Sequence, residues 1–168
     1  ASTVTAGDGS YSFDNLGPGT YFVQETVPAG YSQTGGNAGY VVVVTSGLNS
    51  GGNNFDNFKK GKISGTKYTD ITGNSFSADD TALGGVTINL YQGNNANGTL
   101  VASTTTAADG SYSFDNLGAG TYFVQETVPT GYTQTGGNSG YVVIVTSGVN
   151  STGNNYDNTP GTGSPEER

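Results

Sequence analysis

Apolar and polar residues alternate along several short stretches of the chain, and turn-forming residues separate these stretches. A period of two is typical of β-strands, and no stretch has the 3.6-residue period of an amphipathic helix. The predicted strands are Lys62–Thr69, Val86–Tyr91, Thr99–Thr106, Ser111–Asp115, Thr121–Val128, Tyr141–Thr146 and Asn154–Asn158. Seven short strands with turns between them predict an all-β, Greek-key sandwich. The unbroken apolar run Tyr141–Thr146 predicts a buried strand.

The chain also repeats itself. Thr5–Asn57 and Thr106–Asn158 align without a gap, and 44 of the 53 aligned pairs are identical. The stretch Lys62–Val101 precedes only the second copy. Tandem identity of this kind indicates repeated structural modules. We therefore predict the C-terminal half of a repeat at 1–57, a junction at 58–61, a complete repeat at 62–158 and a flexible tail at 159–168, within a longer repetitive protein.

The composition excludes several classes of function. The 168 residues include no His and no Cys, which excludes disulfides, zinc sites built on those ligands, cysteine nucleophiles and Ser-His-Asp triads. The net charge of −8 argues against a nucleic-acid partner, whose phosphates need Lys and Arg. No apolar run approaches the roughly 20 residues that a membrane-spanning helix needs.

Two charged residues in the predicted strands, Lys67 and Glu126, fall at inward positions. In the first strand of the complete repeat, Lys67 shares a face with the apolar Ile63. In TYFVQET, Glu126 shares a face with Tyr122 and Val124. Because an unpaired buried charge is strongly unfavourable, the buried Lys and the buried Glu are expected to meet.

The last predicted strand adds amides to the same interior. Asn154 and Asn158 share a face with the large apolar Tyr156. The first copy repeats this pattern with Glu25 and Asn57, but it brings no lysine. Each copy therefore offers an inward Glu and an inward Asn, and the complete repeat adds an inward Lys.

These residues carry a resemblance to a known family. YFVQETVPTGY resembles the E-x-x-P-x-G-Y signature of the Cna-B-type repeats of bacterial surface adhesins and pilins. ISGTKYTD, LGGVTINLY and DGSYSFDNLGAGTY are similar to the related B repeats of serine-aspartate-rich surface proteins. The resemblance implies tandem prealbumin-like sandwiches in the stalk of an extracellular, cell-surface or filament protein. It implies as partners the neighbouring repeats of one polypeptide or neighbouring subunits of a filament.

In Cna-B members the resemblance further implies an isopeptide bond from a first-strand Lys to a last-strand Asn or Asp, assisted by Glu. Lys67, Asn158 and Glu126 occupy those positions here, and Glu25 and Asn57 are their equivalents in the half repeat. Burial favours a neutral amine on the Lys and a protonated Glu, which suits attack on the amide. A plain Lys–Glu ion pair and an outward-facing Lys67 are the alternatives.

The loop DITGNSFSADD resembles the calcium loop of the serine-aspartate B repeats. Its expected oxygen ligands are Asp70, Thr72, Asn74, the carbonyl of Phe76, and Asp79 or Asp80. The loop departs from the pattern, because it lacks a glutamate at the twelfth position and has Ser75 in place of a second glycine. Calcium and a solvated acidic loop both remain open.

The sequence therefore predicts a structural stalk or filament module that requires no cofactor and is not an enzyme. The alternative is an adhesin module that binds carbohydrate or protein through exposed aromatic residues. Phe123 and its repeat partner Phe22 are placed by the period of two on the face opposite the core, which would serve such binding.

Overall fold

The computed structural model describes residues 1–161, which form thirteen β-strands and no helix. The chain divides into two compact units. The first comprises residues 1–29 and 33–57, and the second comprises 30–32 together with everything from Phe58 onward. We call them the half module and the complete module.

The first four strands are β1 (Gly19–Val23), β2 (Tyr31–Gly35), β3 (Tyr40–Val44) and β4 (Asp56–Lys59). Strand β1 pairs antiparallel with β3, and β2 pairs with β4. The nine that follow are β5 (Gly61–Thr69), β6 (Thr81–Ala82), β7 (Thr87–Gln92), β8 (Leu100–Thr105), β9 (Ser111–Leu117), β10 (Gly120–Glu126), β11 (Tyr132–Gly136), β12 (Tyr141–Val145) and β13 (Tyr156–Pro160).

The complete module is a two-sheet sandwich, so the predicted all-β sandwich is confirmed. One sheet has the strand order β12-β10-β7-β8. The other has the order β11-β13-β5-β6, and β9 also pairs with β5. The first and last long strands, β5 and β13, are parallel neighbours, with Lys67 opposite Tyr156 and Asn158 opposite Thr69. Among the described residues this module has nine strands rather than seven, because β6 and β11 were not predicted.

The core lies between the two sheets. Period-two alternation turns Ile88 and Leu90 of β7 inward, and they meet Ile63 of β5, Val124 of β10 and Tyr156 of β13. All five are fully buried. Burial of one such side chain contributes roughly 1.5–3 kcal/mol, so this cluster is the main source of the module's stability.

The structure corrects two sequence predictions about individual strands. Strand β12 is buried on one face only, because it is an edge strand: Val143 and Val145 lie in the core, whereas Val142 and Ile144 are 55% and 68% exposed. Phe123 lies outside the core cluster, as the period of two places it, but it is not exposed there. It is 6% exposed, because the ring of Tyr91 covers it at 6.4 Å between centroids. Gly140 has a φ of 68°, and a side chain there would overlap the Phe123 ring.

The ends of the predicted segments also differ. Strand β13 begins at Tyr156 and runs to Pro160, so its last two residues fall in the predicted tail. Residues 162–168 of that tail lie outside the described residues. The division into 1–57, 58–61 and 62–158 stays a prediction.

Candidate functional site

Lys67 is held inward by the strand and the turn on either side of it. Strand β5 lies between β13 and β9, and the backbone N–H of Lys67 donates to the carbonyl of Gly110 at 2.8 Å. Gly110 closes the Asp-Gly turn with a φ of 79°, and a Cβ there would overlap the Lys67 carbonyl. The Lys67 side chain is 0% exposed, so it points into the core.

Glu126 and Asn158 meet Lys67 at one point in the core. Lys67 Nζ lies 3.8 Å from Glu126 Oε2, and Asn158 Nδ2 donates to the same oxygen at 3.1 Å. Lys67 Nζ also donates to the carbonyl of Tyr68 at 2.5 Å. The structure thus brings together the three residues that the sequence singled out, with one carboxylate oxygen between the amine and the amide.

Two buried acceptors in this cluster have no hydrogen-bond donor among the residues that the structure describes. They are Glu126 Oε1 and Asn158 Oδ1. An ionised carboxylate can only accept hydrogen bonds, whereas a protonated one also donates. A proton on Glu126 would therefore supply the donor that this cluster lacks.

Burial shifts both titrating groups toward their neutral forms. Desolvation lowers the pKa of Lys67, and the attraction of Glu126 opposes this only in part. Desolvation likewise raises the pKa of Glu126 against the opposing effect of Lys67 and the amide of Asn158. A neutral amine beside a neutral carboxylic acid is the arrangement that nucleophilic attack on an amide needs.

The half module contains the same acid–amide pair. Asn57 Nδ2 donates to Glu25 Oε2 at 2.9 Å, and Glu25 Oε1 and Asn57 Oδ1 are buried without partners. The half module contains no lysine. Glu25 and Asn57 thus make the same amide-to-carboxylate hydrogen bond as Glu126 and Asn158.

The predicted calcium loop is organised around Asp70. Its side chain is 0% exposed and accepts hydrogen bonds from the backbone N–H groups of Gly73, Asn74 and Ser75. Those last two contacts are 3.2 and 2.8 Å, and Ser75 adopts a left-handed φ of 64°. The loop therefore curls around one buried carboxylate.

The other predicted ligands have different surroundings. The Asp80 carboxylate accepts from the backbone N–H of Ser77 at 2.7 Å, and the Ser77 hydroxyl lies within hydrogen-bond distance of Asn74 Oδ1 and Asp79 Oδ1. Phe76 is 46% exposed, and its ring packs edge-on against Tyr68. Thr72 is exposed, and its hydroxyl helps to lower the pKa of Asp79.

Sequence analysis missed one residue of this region, Asp157. Carboxylate oxygens of Asp70, Asp80 and Asp157 all lie within 4.8 Å of one another. Asp157 is 0% exposed, and neither of its oxygens has a hydrogen-bond partner among residues 1–161. Desolvation and the neighbouring carboxylates raise its pKa to about 7. This cluster has the all-oxygen chemistry that suits a hard divalent cation such as calcium.

The fold and the internal repeat define the class of protein, which is a β-sandwich repeat module. The chain belongs to the SdrD B-like domain family, whose model matches residues 61–165. The resemblance inferred from the sequence motifs is thereby confirmed. Family membership supports a structural module of surface-protein type and agrees with the expected location outside the cell.

Two of the curated relatives are much longer than this chain. Serine-aspartate repeat-containing protein F of Staphylococcus epidermidis is 34% identical over 152 residues, which cover 83% of this chain and 9% of that protein. Serine-aspartate repeat-containing protein C of Staphylococcus aureus is 36% identical over 150 residues, covering 82% of this chain and 15% of that protein. The chain thus spans only a small part of these curated relatives.

Two solved structures resemble the chain. The TIE protein of Bacillus anthracis is 23% identical with a TM-score of 0.48, covering 93% of this chain and 28% of that one. The full-length major pilin SpaD of Corynebacterium diphtheriae is 22% identical with a TM-score of 0.43, covering 60% of this chain and 30% of that one. Within residues 1–161, no helical segment has the length and hydropathy needed to cross a membrane.

Proposed function

We propose that the complete module is a load-bearing element of an extracellular, multi-repeat surface protein, and that an isopeptide bond between Lys67 and Asn158 locks it. Its partners are the neighbouring repeats of one polypeptide or neighbouring subunits of a filament. The observation that carries the proposal is that Lys67, Asn158 and Glu126 are buried together, with Lys67 Nζ 3.8 Å and Asn158 Nδ2 3.1 Å from Glu126 Oε2.

The chemistry needs only these three side chains. The neutral Lys67 Nζ attacks Cγ of Asn158 while protonated Glu126 polarises the amide oxygen. The new C–N bond forms, the bond from Cγ to Nδ2 breaks, and Glu126 relays a proton from the lysine nitrogen to the departing amine. Ammonia leaves and no electrons are transferred. Proximity in the packed core replaces an external catalyst, because held reactants reach very high effective molarities.

The position of the bond suits a mechanical role. Strands β5 and β13 are parallel neighbours, so tension on the start of β5 and the end of β13 loads their contact in shear. A Lys67–Asn158 bond carries that tension directly and closes a loop of about 90 residues. By the chain-entropy estimate used for disulfides, such a loop contributes about 4–5 kcal/mol.

The intact mass of the folded chain tests this proposal. We expect a deficit of one ammonia, and peptide mapping should join Lys67 to Asn158. An unmodified mass contradicts the bond and leaves a buried ion pair.

We further propose that Asp70, Asp80 and Asp157 hold a calcium ion. The supporting observation is that the two buried oxygens of Asp157 lack a donor in the described part of the chain, and a cation would satisfy both. A bound ion would fix the loop after β5 against β13. It would add a second link between the first and last strands.

A further inference from the structure

Two tyrosine hydroxyls bind consecutive backbone carbonyls just ahead of β13. Tyr112 of β9 donates to the carbonyl of Asn154 at 2.5 Å, and Tyr141 of β12 donates to the carbonyl of Asn155 at 2.5 Å. Strand β12 belongs to one sheet, and β9 pairs with β5 of the other. The two hydroxyls therefore hold this short segment from both sides of the sandwich. We call Tyr112 and Tyr141 the tyrosine clamp.

The first copy of the repeat makes the same two bonds. Tyr11 donates to the carbonyl of Asn53 and Tyr40 donates to the carbonyl of Asn54, both at 2.5 Å. The half module contains no lysine, so these bonds form without one. The clamp is thus a property of the segment that carries the acid and the amide.

A third hydroxyl of the same cluster is present in only one copy. Tyr156 donates to the carbonyl of Val124 at 2.6 Å. Its counterpart in the first copy is Phe55, which has no hydroxyl, yet Asn57 still donates to Glu25 at 2.9 Å. The hydroxyl-to-carbonyl bonds that accompany the amide-to-acid contact in both copies are therefore those of the clamp.

The clamped segment also binds strand β5. The Ser64 carbonyl accepts from the backbone N–H of Asn154 at 3.2 Å and from its Nδ2 at 3.0 Å. The backbone N–H of Thr66 donates to Asn155 Oδ1 at 2.8 Å. Between these contacts lies Gly65, where a Cβ would overlap the Asn154 carbonyl oxygen. These contacts set the register of β5 on the clamped segment, and the buried lysine is the next residue after Thr66.

We propose that Tyr112 and Tyr141 are positioning residues for the bond between Lys67 and Asn158. This inference rests on the function proposed above. The clamped segment sets the register of the strand that carries the amine and leads directly into the strand that carries the amide. Both hydroxyls donate to backbone carbonyls, so they act by holding the two reacting groups in place and take no part in the proton transfers.

Three Tyr→Phe variants of the full chain test this role, because each removes one hydroxyl-to-carbonyl hydrogen bond from the same cluster. Each chain is made by cell-free synthesis, and its intact mass is followed against time. Loss of ammonia should slow by about 10- to 100-fold in Tyr112→Phe and in Tyr141→Phe, since a displacement of about 1 Å can cost a hundredfold in rate. Tyr156→Phe should react as fast as the unchanged chain, because Phe55 stands at that position in the first copy.

Stability separates positioning from a purely structural role. Each variant loses one buried hydrogen bond, so all three should be destabilised to a similar extent in urea. Equal slowing in Tyr156→Phe would therefore overturn the positioning role, because lost stability would explain it. Tyr141 is only half-buried, so Tyr141→Phe carries the test if Tyr112→Phe does not fold.

The remaining outcomes distinguish this inference from the proposed function. Ammonia loss at one rate in the unchanged chain and in both clamp variants overturns the positioning role and leaves the locked module intact. No ammonia loss in the unchanged chain overturns the proposed function. The clamp is then decided by NMR exchange of the Asn158 Nδ2 protons, which should quicken in Tyr141→Phe and not in Tyr156→Phe. Equal exchange in those two variants overturns it.

Discussion

Lys62 and Lys67 make ion-pair contacts of equal length in opposite surroundings. Lys62 lies 3.8 Å from Asp115, with side chains 47% and 57% exposed. Lys67 lies 3.8 Å from Glu126, with both side chains 0% exposed. Water screens the first pair, so it contributes at most about 1 kcal/mol. The Lys67–Glu126 pair is buried, so water cannot take the place of either side chain if it is removed.

This pair of lysines gives a matched experiment. Lys67→Ala should restore the unmodified mass and lower the free energy of unfolding by about 4–5 kcal/mol, because the closed loop of about 90 residues is lost. Lys62→Ala should keep the ammonia deficit and change stability by less than about 1 kcal/mol. Chemical denaturation and intact mass measure both effects.

Glu126→Ala tests whether Glu126 takes part in forming the Lys67–Asn158 bond. It should also give the unmodified mass, since no proton relay remains, although Lys67 and Asn158 are both present. Undiminished crosslinking in this variant would show that Glu126 has no part in the reaction.

Asp157 and Asp79 provide the corresponding test for the cation. Calcium added to metal-free protein should raise the melting temperature, and at 100 times the Kd the gain is about 2.7 kcal/mol. Asp157→Ala should abolish this response. Asp79→Asn should retain it, because Asp79 is exposed and lies outside the cluster of three carboxylates. A calcium response that survives Asp157→Ala would rule out the proposed site.

At the scale of the strand, Phe123 and Phe22 occupy equivalent positions of the repeat, but only Phe123 lies beside a β7 strand. Substituting each of them therefore measures how much β7 adds to the free energy of unfolding. Phe123→Ala should lower the free energy of unfolding by about 3–5 kcal/mol, because its ring is buried beneath Tyr91. Phe22→Ala should have little effect, because no such ring covers it and it is 58% exposed. Equal losses, measured by urea unfolding, would mean that Phe22 is covered in solution.

Period-two alternation explains which elements the sequence predicts well. It placed Lys67 and Glu126 inward because apolar neighbours mark the face in β5 and β10. It gave no signal for β11, whose YTQTG carries few apolar residues. It also misjudged β12, because an apolar run does not reveal whether a strand lies at an edge. Asp157 was missed because its partners are distant in sequence and only the parallel pairing of β5 and β13 brings them near.

At the scale of the molecule, the proposed bond predicts how the chain extends under force. With Lys67 joined to Asn158, pulling the chain by its two ends should release none of the roughly 90 residues between them. The Lys67→Ala variant should release that length, on the order of 300 Å at ~3.3–3.6 Å per residue. Single-molecule force spectroscopy distinguishes the two, and equal extension in both would argue against a covalent load path.

The parallel pairing of β5 and β13 also sets how far each module advances the chain. The polypeptide enters at Gly61, and because Asn158 lies opposite Thr69, it leaves at Pro160 beyond the far end of β5. That advance is about ten strand positions, or roughly 30 Å. In a protein that strings such modules together, reach would grow in steps of this size. The number of such modules would then set the reach of the whole array.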